Sequence, residues 1–243
     1  MHAADLSCVR ALVFDLDGTL IDSKQDLVLS VNAMLAEMGR ALLPEEIISS
    51  YIGQGAPVLV KRALDKAVPR RDGSAVNRES AAPRRGETSE EEVSLALEFF
   101  LKYYEEHRME HTRAYPGVKE ALAALGDYPM AVLTNKPERI SRRILEELGL
   151  APYFRAIYGG NSFSSKKPDP FGVHTVLRDF GVTARSTLLI GDSDIDVQTA
   201  RNADTWAASV TYGFGSQDRE AFPADVYLDR LTDLIPLLGN RGV

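Results

Sequence analysis

Five short apolar runs punctuate the chain: VRALVF (9–14), MAVLT (130–134), RAIYG (155–159), TLLIG (187–191) and WAASV (206–210). Each is bounded by polar or glycine residues, and several are apolar at consecutive positions. A strand with one wet face alternates, whereas a strand covered on both faces has no reason to. Helical patterns lie between most of the runs. Pro137 opens PERISRRILEELG, where Ile140, Ile144, Leu145 and Leu148 share one face and Gly149 supplies the stop. Asp169 and Pro170 open PFGVHTVLRDFG, which stops at Gly181. Strands alternating with helices predict an α/β chain: a parallel sheet with helices on both faces.

The long gap after the first run breaks this alternation. Residues 23–110 read as helices only. Leu27, Val28, Val31, Met34, Leu35 and Met38 recur at helical spacing before Gly39. Ser89 followed by Glu92 reads as a capping box ahead of Val93, Ala96, Leu97, Phe100, Leu101 and Tyr104. The expected organisation is therefore a core of residues 1–22 and 112–243 with a small helical domain, 23–111, inserted after strand one. Within the insert, Pro69 to Thr88 lacks periodicity and reads as a mobile, solvated loop.

Composition limits the functions open to such a chain. At 243 residues, 44% apolar, it can bury a sizeable core. A net charge of −7 argues against nucleic acid or an anionic membrane as the main partner. The single cysteine, Cys8, permits no internal disulfide, which suits a reducing compartment. The N-terminus does not read as a secretory signal, and no apolar run reaches the roughly 20 residues that span a bilayer. A cytoplasmic protein is expected.

The polar residues that follow each strand carry the chemistry. In open parallel sheets the ligand site lies beyond the carboxyl ends of the strands. After strand one come Asp15 and Asp17; after MAVL come Thr134 and Asn135. A loop after the third run carries Lys166 and Lys167, and TLLIG is followed by Asp192, Asp194 and Asp196. The sheet would bring all of these to one edge. Carboxylates crowded in this way cannot all stay ionised without a cation. All-oxygen ligands suit a hard divalent ion, and Mg²⁺ is the usual one where phosphate is also bound.

DLDGT, TN after an apolar strand, KKPDP and GDSDID, in this order, resemble the four signature segments of the haloacid dehalogenase-like superfamily of phosphatases. The resemblance covers residues 9–22 and 112–215, and the insert's position resembles the subgroup with a helical cap over a Rossmann-like core. IGQGAPVLVKRAL, RAYPGVKEAL, LTNKP, GGNSFSSKKPDP and VTYGFG look like the phosphoglycolate phosphatase branch. The Pro69–Thr88 loop is longer than that branch implies, and Asp204 stands where it implies glycine.

The resemblance implies roles that the chemistry of each residue suits. Asp15 would be the nucleophile that forms an aspartyl-phosphate, and Asp17 the general acid and base. Asp15, the Asp17 backbone carbonyl and Asp192 would hold Mg²⁺, with Asp196 orienting the site from behind. The Thr134 hydroxyl and Asn135 amide would bind phosphate oxygens, and Lys167 would offset their charge. The implied partner is a small phosphorylated metabolite, 2-phosphoglycolate first. A mutase or a sugar-phosphate phosphatase of the same superfamily is the alternative, and a phospho-accepting signalling protein is a more distant one. Oligomeric state is not legible. Asp194 reads as a helix N-terminal acid, and Lys166, His2, His107, His111 and His174 as surface residues. Tyr51, Gly53 and Gln54 are candidates for the insert's face over the site.

Overall fold

The computed structural model describes residues 6–69 and 88–239. Residues 70–87, nearly all of the expected mobile loop, lie outside the described residues, as does His2.

A six-stranded sheet forms the centre. Its strands are β1 (Ala11–Phe14), β4 (Met130–Leu133), β5 (Ala156–Tyr158), β6 (Thr187–Gly191), β7 (Trp206–Val210) and β8 (Val226–Leu228). Their order is β5-β4-β1-β6-β7-β8, and every neighbouring pair is parallel. The consecutive apolar runs follow from double coverage. Along β1, Leu12 and Phe14 join one buried cluster, while Val13 joins the other on the opposite face. Helices α5 (Val118–Ala124) and α6 (Glu138–Glu147) supply Val118, Leu122, Ile140 and Ile144 to the first. Helices α7 (Phe171–Phe180) and α8 (Asp194–Asn202) supply Val173, Val176, Val197 and Ala200 to the second. The three central strands β4, β1 and β6 are buried at every position, so none of them needs alternation.

Between β1 and the rest of the sheet lie α1 (Lys24–Glu37), α2 (Glu45–Ser49), α3 (Ala56–Lys66) and α4 (Glu90–His107). Leu27, Val31, Leu35, Leu64, Phe100 and Tyr104 make their buried faces continuous with the first sheet cluster. The chain leaves and re-enters the core through a two-stranded antiparallel pair, β2 (Ile21–Asp22) and β3 (Arg113–Ala114), in the register Ile21↔Ala114. Both crossings are therefore hydrogen-bonded to each other. Beside them Asp26, 1% exposed, accepts from the backbone N–H groups of His111 and Thr112 and from the Thr112 hydroxyl at 2.7 Å. The first helix is thus tied to the point where the chain returns.

Some boundaries differ from the sequence reading. Strand one begins at Ala11 rather than Val9, and the MAVLT and RAIYG runs lose their flanking residues to turns. The capping box at α4 is half formed. Ser89 Oγ accepts from the Glu92 N–H at 3.1 Å, but the Glu92 carboxylate turns to Arg40 at 2.6 Å instead of reaching back. A guanidinium offers a charged partner where the cap offers a neutral one, and the charged hydrogen bond is the stronger. Edge strand β8 is not among the apolar runs because three residues, VYL, with Val226 half-buried, Tyr227 exposed and Leu228 buried, are too few to carry a period. Helix α9 (Leu234–Leu238) follows β8 and closes the first cluster through Leu234 and Leu238. No helix among the described residues is long and apolar enough to cross a membrane.

Candidate active site

Asp15 is the first residue beyond β1, Thr134 the first beyond β4 and Asp192 the first beyond β6. Those three strands are neighbours in the sheet, so residues far apart in sequence meet at one edge. Lys167 reaches in from the loop between β5 and α7. Its ammonium lies 2.6 Å from Asp15 Oδ1 and 2.6 Å from Asp196 Oδ1, with 4% of the side chain exposed. Two carboxylates on one buried ammonium hold it in place and keep it charged. No hydrogen bond reaches Asp15 Oδ2 among the described residues, so one oxygen of that carboxylate remains uncommitted.

Asp192 is held from the other side. The backbone N–H groups of Phe214 and Gly215 donate to its Oδ2 at 3.0 and 2.7 Å. Gly18 and Gly213 are required here: a Cβ on either would lie 2.0 or 2.3 Å from an Asp192 side-chain atom. Gly18 also sits at φ +84°, which an L side chain rarely adopts. The VTYGFG segment thus serves as the backing of Asp192. Asp196 occupies the first turn of α8. Its Oδ2 accepts from Ser193 Oγ at 2.6 Å and Oδ1 from Lys167, so both oxygens are engaged in positioning.

Asp15, Asp192 and Asp196 each offer a carboxylate oxygen within 4.8 Å of the others, and all three are buried. Burial pushes the Asp15 carboxyl up to about 6; Lys167 opposes this while Asp196 and Asp17 add to it. Burial, then the Asp196 and Asp15 charges, raise Asp192 well above the usual carboxylate range, against its two backbone donors. The donor set has only oxygen, is acidic, and holds more negative charge than Lys136 and Lys167 neutralise. That chemistry fits a hard divalent cation.

Asp17 points elsewhere than Asp15. Its Oδ1 accepts from Ser23 Oγ at 2.5 Å and from Lys136 Nζ at 2.9 Å, and Lys136 also reaches Oδ2 at 3.1 Å. Lys136 in turn donates to the Tyr104 hydroxyl at 2.6 Å. Sequence reading passed over Lys136, Ser23 and Tyr104. The available signal was the lysine's place, directly after Thr134 and Asn135 in TNKP. A charged residue beside polar strand-end residues seldom reads as buried, yet Lys136 is 6% exposed.

Thr134 and Asn135 line the same cleft as Asp15 and Asp17. The Asn135 side chain, however, is a clamp. Its amide donates to the carbonyls of Gly53 and Lys167, at 2.9 and 3.1 Å, and its Oδ1 accepts from the Lys167 N–H at 3.0 Å. It joins the inserted helices to the lysine loop and leaves its backbone N–H for a ligand. The cleft encloses about 520 Å³, counting solvent at its mouth, between the sheet edge and the inserted helices. Gly53 lines it, whereas Tyr51 and Gln54 pack against Arg62 instead. Asp194 caps a loop, accepting from Ser216 Oγ and from the Asp218 N–H, and Lys166 is exposed. His111 and His174 are exposed and His107 is half-buried; His107 lies beside Glu110 and His111 beside Asp26.

The chain as a whole is similar to known proteins. The model of a haloacid dehalogenase-like hydrolase family matches residues 12–210. The phosphoglycolate phosphatase of Pseudomonas savastanoi pv. phaseolicola is 40% identical over 231 residues, 93% of this chain and 79% of its own. That of Neisseria gonorrhoeae is 36% identical, covering 97% of this chain and 94% of its own. A crystal structure from Haemophilus somnus, described as a predicted phosphoglycolate phosphatase, superposes with a TM-score of 0.84 at 31% identity. It covers 96% of this chain and 99% of its own. A family model matched over residues 12–210, identity at this level over nearly the whole length and a shared fold make the chain a member of the haloacid dehalogenase-like hydrolase family.

Proposed function

We propose that this chain is a Mg²⁺-dependent phosphatase that hydrolyses a small phosphomonoester, 2-phosphoglycolate first, through an aspartyl-phosphate on Asp15. The observation that carries the reading is the Lys167 ammonium, buried against Asp15 Oδ1 at 2.6 Å while Asp15 Oδ2 stays uncommitted. A nucleophile must be oriented at one oxygen and free at the other.

Asp15, the Asp17 carbonyl and Asp192 would hold Mg²⁺, which supplies charge neutralisation at the phosphate oxygens. The remaining work falls to the chain. Asp15 Oδ2 attacks phosphorus, and the bond to the leaving oxygen breaks. Asp17 gives that oxygen a proton and later takes one from the water that attacks the acyl phosphate. Ser23 and Lys136 fix the Asp17 carboxylate for both steps. The Thr134 hydroxyl, the Asn135 N–H and Lys167, all three residues buried, stabilise the phosphoryl oxygens. Residues 1–22 and 112–243 act as the catalytic core, and 23–111 as the cap that bounds the leaving group. The inserted helices that wall one side of the cleft and the names of the relatives support a small substrate.

The test is phosphate release from 2-phosphoglycolate, sugar phosphates and nucleotides, with and without EDTA. Preferred turnover of 2-phosphoglycolate, abolished by EDTA and restored by Mg²⁺, is expected. Equal rates on a phosphoprotein, or full activity in EDTA, overturn the reading.

A further inference from the structure

We propose that Lys136 and Tyr104 together form the subsite that recognises the substrate's carboxylate. This rests on the reading that the substrate is a small phosphorylated acid and names the residues that select it.

Beyond the phosphate end, the cleft is lined mainly by apolar side chains such as Leu27, Ile52, Leu59 and Phe100. An anion carried into such surroundings loses hydration and must meet a charged or hydrogen-bonding partner there. Among the described residues lining the cleft, Lys136 is the one cation. It stands two residues beyond Thr134, next to the groups proposed to hold the phosphate, so it lies within the reach of a second anionic group on a two-carbon substrate.

Tyr104 supplies the second donor. It comes from α4, on the opposite wall, and its hydroxyl accepts from Lys136 at 2.6 Å. That bond uses the oxygen and leaves the phenolic proton. No acceptor for this proton is found among the described residues, although the side chain is 2% exposed. The ammonium donates to both Asp17 oxygens and to Tyr104, so a bound carboxylate takes the phenolic O–H and the N–H that now makes the long contact to Asp17 Oδ2 at 3.1 Å. One donor comes from the core and the other from the inserted helices, so an acid bound between them also bridges the two walls.

The test compares 2-phosphoglycolate with ethyl phosphate, which replaces the carboxylate by a methyl group, in wild type, Lys136→Met and Tyr104→Phe. The readout is the ratio of kcat/KM for the two substrates, supported by the ratio of Kd in an Asp15→Asn background. Wild type should favour 2-phosphoglycolate. Lys136→Met should collapse that preference by roughly ten- to a hundredfold, and Tyr104→Phe by about tenfold, as for hydrogen bonds to a charged group. Tyr104→Phe retains the buried ring and keeps the test valid where Lys136→Met folds poorly. Preference ratios unchanged in Tyr104→Phe and in folded Lys136→Met overturn the proposal, since a merely structural lysine lowers both substrates alike. Absence of phosphate release from either substrate in wild type would instead defeat the phosphatase reading, and the Kd ratio would still decide the subsite.

Discussion

At the scale of single residues, two adjacent lysines separate cleanly. Lys167 is buried between Asp15 and Asp196, while its neighbour Lys166 is exposed. The two lie in a turn closed by the Asp169 N–H on the Lys166 carbonyl at 2.8 Å, not in the extended segment that the following proline suggested, and within it only Lys167 reaches the carboxylates. Lys167→Ala should lower kcat on the order of a hundredfold or more, as for other preorganised charge stabilisers. Lys166→Ala should leave kcat nearly unchanged and shift stability by under about 0.5 kcal/mol. The kcat values of the two variants decide it, and a dead Lys166→Ala enzyme would reverse the assignment. Asp204 gives a second residue-scale case. The family pattern implies glycine at this position, and Asp204 sits at φ +56°. Its ion pair with Arg185, at 3.9 Å, is mostly exposed and contributes little. Asp204→Gly relieves the left-handed strain and should raise stability by about 0.5–1 kcal/mol, read as a shift in the urea midpoint.

At the scale of elements, Asp26 links α1 to the return crossing at His111 and Thr112. Burial pushes its carboxyl up, but the Thr112 hydroxyl, the His111 ring and two backbone donors outweigh that and leave it below the usual carboxylate range. The sign follows. A carboxyl depressed in the folded state stabilises fully above its unfolded pKa of 3.8 and loses that contribution as pH falls through the lower folded value. Asp26→Ala leaves several buried donors unpaired and should cost about 2–4 kcal/mol at pH 7. The cost should shrink below pH 3.8, which denaturant titrations at pH 7 and pH 3 would read. An equal loss at both values would show that packing, not the carboxylate, matters there. The same crossing is reinforced further along: Glu105 near the end of α4 pairs with Arg139 and Arg143 of α6, and Arg108 pairs with Glu147. These pairs are partly exposed, so they align the helices more than they stabilise them.

At the scale of the whole molecule, the sheet edge holds Asp15, Asp17, Asp192 and Asp196 against Lys136 and Lys167. An ion that binds only the folded arrangement stabilises it by mass action, about 2.7 kcal/mol at a hundred times its Kd. Saturating Mg²⁺ should therefore raise Tm in wild type and do so much less in Asp192→Asn. A Tm indifferent to Mg²⁺ in wild type would remove the metal from the site. Asp15→Asn should keep the fold, since Lys167 retains Asp196, and should abolish turnover. A variant still active near the wild-type rate would show that another residue attacks phosphorus.

Much of this was legible in the chain because it is local or repeated. The apolar runs announced strands covered on both faces, since Val13 and Phe14 must each find a buried neighbour on opposite sides. Gly149 and Gly181, at φ +67° and +66°, stop α6 and α7 where the helical periods end. Asp15, Thr134 and Asp192 could be named from sequence because a parallel sheet sends the residue after every strand to the same edge, whereas Lys167, in a loop well past β5, was named through the resemblance carried by KKPDP. What tertiary structure alone decided is where side chains with several possible partners turn. Asn135 clamps Gly53 and the lysine loop, Glu92 abandons its cap for Arg40, and Lys136 is drawn inward to Asp17 and Tyr104. A long polar side chain is flexible, and its partner lies far away in sequence, 119 residues for Lys136 and Asp17. Period and spacing report which face of an element is buried; only the packed molecule determines which charge meets which.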